Sequence, residues 1–111
     1  MSCSVNRWNI PRDLEAIIIA RDQTCVYCRR DFCGAEGPRG QRRSWEHIIN
    51  DASIVTEQNI ALCCVSCNAS KGAKTLRDWL ESRFCSRRGI TPANLAEVVK
   101  AALQRQGGQL Y

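Results

Sequence analysis

Two Cys-x-x-Cys pairs, Cys25/Cys28 and Cys64/Cys67, bracket the chain's only histidine, His47, and the second pair runs directly into Asn68 and then Lys71-Gly72. A two-residue spacer lets the backbone fold back so that both sulfurs reach one ion, and a second pair completes a tetrahedron. Zinc has no geometric preference from its d electrons and accepts four thiolates in closed structural sites. The pairs therefore predict a structural Zn²⁺ held by Cys25, Cys28, Cys64 and Cys67, with no position left open for chemistry. A staple of this kind matters in 111 residues, because a domain of that size buries a modest core and tolerates few unpaired polar groups. Cys33 and Cys63 each lie near enough in sequence to replace a neighbour. The repeated two-residue spacer favours Cys64 over Cys63, so Cys3, Cys33, Cys63 and Cys85 are read as buried or idle thiols.

Eight cysteines would also suit a secreted disulfide framework. The stretch from Met1 to Ile10 argues against it, having no apolar run followed by a small-residue cleavage site, so a reducing, cytoplasmic setting is expected. No apolar run, Ala16 to Ala20 included, is long enough to cross a bilayer, and no membrane association is expected. The formal charge is +5; four thiolates and one dication subtract two from it, and the chain stays basic. Arg29, Arg30, Arg39, Arg42, Arg43, Lys71, Lys74, Arg77, Arg83, Arg87 and Arg88 flank the cysteine and histidine elements on both sides. A guanidinium fork donates two hydrogen bonds to one phosphate, so a polyanionic partner is expected, against the alternative of an ordinary solvated surface.

The hydrophobic pattern places these residues coarsely on elements of a single domain. Asn9 and Pro11 signal a helix start, and Leu14, Ile17 and Ile18 continue one apolar face to about Arg21. Thr24 to Cys33 reads as a tight knuckle, and Gly34 to Gly40, with three glycines and Pro38, as a flexible surface loop. Ser44 to Ile49 and Ile54 to Leu62 read as two short strands. Beyond Cys67 the pattern turns helical: Thr75 with Asp78 resembles a capping box, followed by Leu76, Trp79, Leu80 and Phe84 at helical spacing. Thr91-Pro92 opens a last helix, whose stripe of Leu95, Val98, Val99, Ala102 and Leu103 runs to Gly107-Gly108. Both stripes are read first as core; the last one would equally serve a homodimer interface.

Taken in order, Cys25-x-x-Cys28, Glu46-His47-Ile48-Ile49, Asn59-Ile60-Ala61-Leu62 and Cys64-x-x-Cys67-Asn68-x-x-Lys71-Gly72 resemble an HNH endonuclease of the zinc-knuckle type. The resemblance covers roughly residues 24–74, about half of the chain. It implies a small ββα-metal (His-Me finger) core with a four-cysteine zinc knuckle, which the N-terminal helix and the C-terminal helices over about 75–106 read from the pattern would flank in a single α+β domain. It also implies that His47 is the general base and that Glu46 and Asn68 hold one catalytic divalent cation, Mg²⁺ or Mn²⁺. Asn59 would be catalytic only indirectly, hydrogen-bonding the loop that orients His47. The expected partner is DNA, gripped by Arg42, Arg43, Lys71, Lys74 and Arg77, and stand-alone chains of this kind resemble bacterial, phage or mobile-element proteins.

These residue types suit the chemistry on their own account. Phosphodiester hydrolysis needs a deprotonated water opposite the leaving oxygen and a counter-charge for the transition state. Imidazole titrates near neutrality and serves the first need; a hard cation on oxygen ligands serves the second. With one histidine, an all-histidine metal site, the arrangement of the bacterial-toxin branch, is excluded.

The chain departs from the family pattern at Glu46, where Asp is usual, and at Asn50, where proline is common. Neighbours in a regular strand also point to opposite faces, whereas Glu46 and His47 must serve one centre. The leading expectation is a metal-dependent DNA endonuclease that nicks with weak sequence selectivity. A zinc-knuckle module that binds nucleic acid without cutting it and a Cys-x-x-Cys redox protein are the rivals.

Overall fold

Pro11 fixes the entry to the first helix, α1 (Arg12–Arg21), with Asp13 and Glu15 in its first turn and Arg21 in its last, each matching the helix dipole. The computed structural model describes residues 9–107; Cys3, most of the Met1 to Ile10 stretch and Gly108 lie outside the described residues. Helix α1 buries Ile18 and half-buries Leu14, but Ile17, expected on the same face, is exposed. Asn9 is not part of the helix and takes a left-handed φ of 60°.

The knuckle follows as expected, closed by a bridge between Thr24 and Asp31. The Gly34–Gly40 loop differs from its reading, because Arg42 Nη2 donates to the carbonyls of Ala35 (2.7 Å) and Gly37 (3.2 Å) and pins it to the domain.

Strand β1 (Arg43–His47) pairs antiparallel with β2 (Ile60–Cys64), with Trp45 opposite Leu62, Glu46 opposite Ala61 and His47 opposite Ile60. Residues 54–59, expected as strand, form turns instead. Their backbone is used locally: Ile54 N–H donates to Asp51 O, and the Asn59 and Ile60 N–H groups both donate to Thr56 O. Asp51 Oδ1 accepts from the Ser53 N–H and hydroxyl, the usual self-capping of an Asx turn.

Helix α2 (Val65–Lys71) starts without a loop, with Cys64 as its N-cap residue, and stops at Gly72, whose φ of 50° suits glycine. The helical pattern from Thr75 onward splits in two. Thr75 Oγ1 accepts from Asp78 N–H to start α3 (Leu76–Leu80), and Ser82 Oγ accepts from Cys85 N–H to start α4 (Arg83–Arg88). Thr91-Pro92 opens only a single 3-10 turn, Pro92–Asn94, and the last helix, α5 (Glu97–Gly107), begins later. The expected stripe is still used: Leu95, Val99 and Ala102 are buried, and Val98 and Leu103 pack against them.

Every residue of β2 is buried, because both faces of the ribbon are covered. On one face Ile60 and Leu62 pack with Ile10, Ile18 and Trp45; on the other Ala61 and Cys63 join Tyr27, Ile48, Trp79, Leu95 and Val99. The outer edge of β2 is bonded as well: Val26 N–H donates to Leu62 O (3.2 Å), Leu62 N–H to Asp22 Oδ2 (3.1 Å), and Arg21 Nη2 to Ile60 O (2.8 Å). Along β1, Asn68 Nδ2 donates to Trp45 O (2.9 Å). The described residues thus form an α+β unit with one two-stranded antiparallel sheet, five α-helices and a four-cysteine cluster. No helix among them is long and apolar enough to cross a membrane.

Candidate metal centre and active site

The Sγ atoms of Cys25, Cys28, Cys64 and Cys67 all lie within 4.8 Å of one another, and Cys28 Sγ is 3.9 Å from Cys64 Sγ. Zinc–sulfur bonds of about 2.3 Å in a tetrahedron put sulfurs about 3.8 Å apart, so the cluster fits a metal ion such as zinc. The first pair sits in a turn where Cys28 N–H points at Cys25 Sγ (3.5 Å), Arg29 N–H donates to Cys25 O (3.0 Å) and Cys25 N–H to Arg30 O (3.0 Å). This turn forces Arg29 to a left-handed φ of 66°, a backbone duty its reading as a phosphate contact did not anticipate. The second pair straddles the start of α2.

Sharing protons among themselves, the crowded thiols split. Hydrogen bonding with Cys25 holds Cys28 far down and Cys64 down to about 6, whereas Cys25, bonded to Cys28, and Cys67, bonded to Cys25, are pushed up. A dication relieves this conflict by accepting all four as thiolates.

The other described thiols stand apart from the cluster. Cys63 pairs with Ser44 and faces the opposite side of the ribbon from Cys64, and burial pushes its thiol up. The half-buried Cys33 donates to Pro38 O (3.2 Å). Cys85 is buried, which raises its thiol.

Glu46 is only 7% exposed and its Oε2 has two partners: the Tyr27 hydroxyl donates to it at 2.6 Å and Lys71 Nζ stands at 3.1 Å. Lys71 is 1% exposed, so it is a buried counter-ion and not the surface phosphate clamp the sequence suggested. Asn68, one turn before Lys71 on α2, turns its Nδ2 to Ser44 Oγ (3.0 Å) and Trp45 O (2.9 Å) and ties α2 to β1. Glu46, Asn68 and Lys71 therefore meet on one face of β1. A buried carboxylate requires a cationic partner, and the Lys71 ammonium fills that place.

His47 is the last residue of β1, and strand alternation sends it toward the face of Trp45, opposite Glu46. It stands where the ribbon opens into the exposed loop over 50–53 and lies close enough to Asp51 to help hold that carboxyl below the usual range, an effect led by the Ser53 hydroxyl. Asn59 governs this loop. Its Oδ1 accepts from Ile49 N–H (2.7 Å), and its Nδ2 donates to the carbonyls of Ile49 (3.2 Å) and Ile54 (3.1 Å). Ile48 N–H also donates to Asn59 O (2.9 Å). At about 1 kcal/mol net per bond, the side chain alone contributes about 3 kcal/mol to holding the backbone that leaves His47.

Among the basic residues singled out, Arg42 is engaged in the loop, whereas Arg43, Lys74 and Arg77 are exposed. Arg83 and Arg87 on α4 are exposed too, and Arg88 lies over the Phe84 ring at 4.7 Å. Sequence reading missed Tyr27 and the Glu46–Lys71 pair. The available signal was an aromatic residue inside the first Cys-x-x-Cys, whose fate depends on contacts far apart in the chain. No protein-family model, curated protein or solved structure matches this chain.

Proposed function

We propose that the chain is a metal-dependent DNA endonuclease of the HNH type, a single domain with a ββα-metal core stapled by Zn²⁺ at Cys25, Cys28, Cys64 and Cys67. Glu46 and Asn68 would hold one Mg²⁺ or Mn²⁺, and His47, which strand alternation sends to the other face of β1, would have to turn round the strand end to serve the same centre. When bound, that ion supplies polarisation of the phosphoryl oxygen and stabilisation of the leaving alkoxide. His47 takes the proton from the attacking water as general base. Asn59 holds the loop behind His47, while Arg43, Lys74 and Arg77 meet the backbone phosphates. Contacts to phosphate position DNA without reading bases, so selectivity is weak. One active site per monomer nicks, leaving 5′-phosphate and 3′-hydroxyl ends as in the family it resembles. The setting that suits this chemistry is the cytoplasm of a bacterium or a phage-infected cell.

The observation that carries the reading is the Asn59 clamp. An asparagine buried to 1% exposure spends its whole side chain on the loop that follows the only histidine. The test is supercoiled plasmid incubated with wild type and His47→Ala in Mg²⁺, in Mn²⁺ and without divalent ions. Relaxed circles that need the metal, and fall about 10²–10⁴-fold in rate in the variant, support it. Equal cutting by both proteins refutes it.

A second reading, a zinc-knuckle module that binds nucleic acid without cleaving it, is favoured by one observation: Glu46 is already neutralised by Lys71 and bonded to Tyr27. It predicts salt-dependent binding of DNA with no relaxed product in any metal.

A further inference from the structure

Tyr27 lies between the two cysteines of the first knuckle and is fully buried. Its ring packs edge-on against Trp79, with centroids 4.9 Å apart at 70°, and Trp79 Nε1 donates to Ser70 Oγ (2.9 Å) on α2, next to Lys71. The knuckle backbone around it is fastened on both sides: Val26 N–H donates to β2, and Val26 O accepts from Ala96 N–H (3.0 Å) before α5. The ring therefore cannot move apart from the knuckle. Its hydroxyl reaches the Glu46 carboxylate at 2.6 Å. A short hydrogen bond to a buried charge is among the stronger and more directional contacts a domain holds.

From this arrangement we propose that Tyr27 is a positioning residue that couples the four-cysteine knuckle to the Glu46 carboxylate, so that a metal in the cluster and a cation at Glu46 favour each other's binding. Ordering the knuckle fixes the ring, and the ring holds the carboxylate oxygen that Lys71 also faces, so the carboxylate keeps one orientation toward an ion that takes the ammonium's place. Coupling is reciprocal, so a change at Glu46 must be felt at the cluster. The part that concerns a cation at Glu46 rests on the endonuclease reading; the link between knuckle and carboxylate does not.

The test is a double-mutant cycle on the zinc-loaded full chain with Tyr27→Phe, Glu46→Gln and both, reading the rate of zinc transfer to a chromophoric chelator well below the melting temperature. Tyr27→Phe keeps the ring packing and deletes only the hydroxyl. Glu46→Gln is expected to speed zinc release about five-fold in the wild type and to change it less than about 1.5-fold in Tyr27→Phe. Equal factors in the two backgrounds overturn the coupling, since a merely structural tyrosine gives additive effects. If Glu46→Gln alone fails to fold because Lys71 loses its partner, Glu46→Gln with Lys71→Met takes its place in both backgrounds. Mn²⁺ binding followed by electron paramagnetic resonance, at equal zinc content, should weaken about five-fold in Tyr27→Phe; unchanged Mn²⁺ affinity also overturns the proposal. A wild type that takes up no Mn²⁺ sinks the endonuclease reading, and the zinc-release cycle then decides the coupling alone.

Discussion

Replacing Lys71 by Met removes the ammonium and keeps most of the aliphatic stem, leaving Glu46 buried beside the Tyr27 hydroxyl with no counter-charge. Both members of the pair are almost fully buried, at 1% and 7% exposure and 3.1 Å apart. Breaking such a pair from one side costs about 3–5 kcal/mol, a large part of the about 5–15 kcal/mol that holds a domain together. At about 4–8 °C per kcal/mol for a chain of this size, the melting temperature should fall by more than about 12 °C. The assay is thermal unfolding by circular dichroism in buffer freed of divalent ions by resin, because a soluble chelator would also strip the cysteine cluster. If Glu46 and Asn68 accept a hard cation in place of Lys71, Mn²⁺ at about one hundred times its dissociation constant restores about 2.7 kcal/mol to Lys71→Met. The wild type, in which the ion must first displace the ammonium, gains less. A loss below about 1 kcal/mol in Lys71→Met would refute the counter-ion role. A large loss that Mn²⁺ leaves untouched would refute the exchange, and with it the cation site.

Cys64→Ser should lose the bound metal and unfold at a much lower temperature, whereas Cys63→Ser, on the other face of the ribbon, should keep one zinc per chain, since ligand binding energy here is folding energy; metal analysis and paired melts check this. With the cluster loaded, peptide mapping after mild alkylation should find Cys33 modified well before Cys63 and Cys85. Burial shields those two and pushes their thiols up, so little thiolate is offered. Rapid labelling of Cys85 in the folded chain would contradict that burial.

The four-cysteine cluster was legible because a two-residue spacer fixes geometry locally, and the capping of α3 by Thr75 for the same reason. Trp79 and the stripe from Leu95 to Ala102 were legible as core, because helical periodicity survives a split helix. The split itself was not read, since Ser82 looks like any polar surface residue until its hydroxyl caps Cys85 N–H. Residues 54–59 were misread as strand because Ile54 and Val55 carry strand propensity, while Asp51, Thr56 and Asn59 claim the backbone for turns. Lys71 was misplaced for a different reason. A lysine before a glycine reads as solvent-facing, and only the packing of β1 against α2 reveals a buried carboxylate as its partner.

A lone two-stranded ribbon ordinarily leaves a row of free amide and carbonyl groups along each side, which invites another chain to add a strand. Here Asp22, Arg21 and Val26 occupy that row on β2, and the Asn68 side chain takes a carbonyl on β1. Growth of the sheet from chain to chain is thereby blocked on the β2 side and hindered on the other. Self-association of this protein should proceed through side chains on its helices, and stacked fibrillar forms should appear only after the segment around Asp22 has come away.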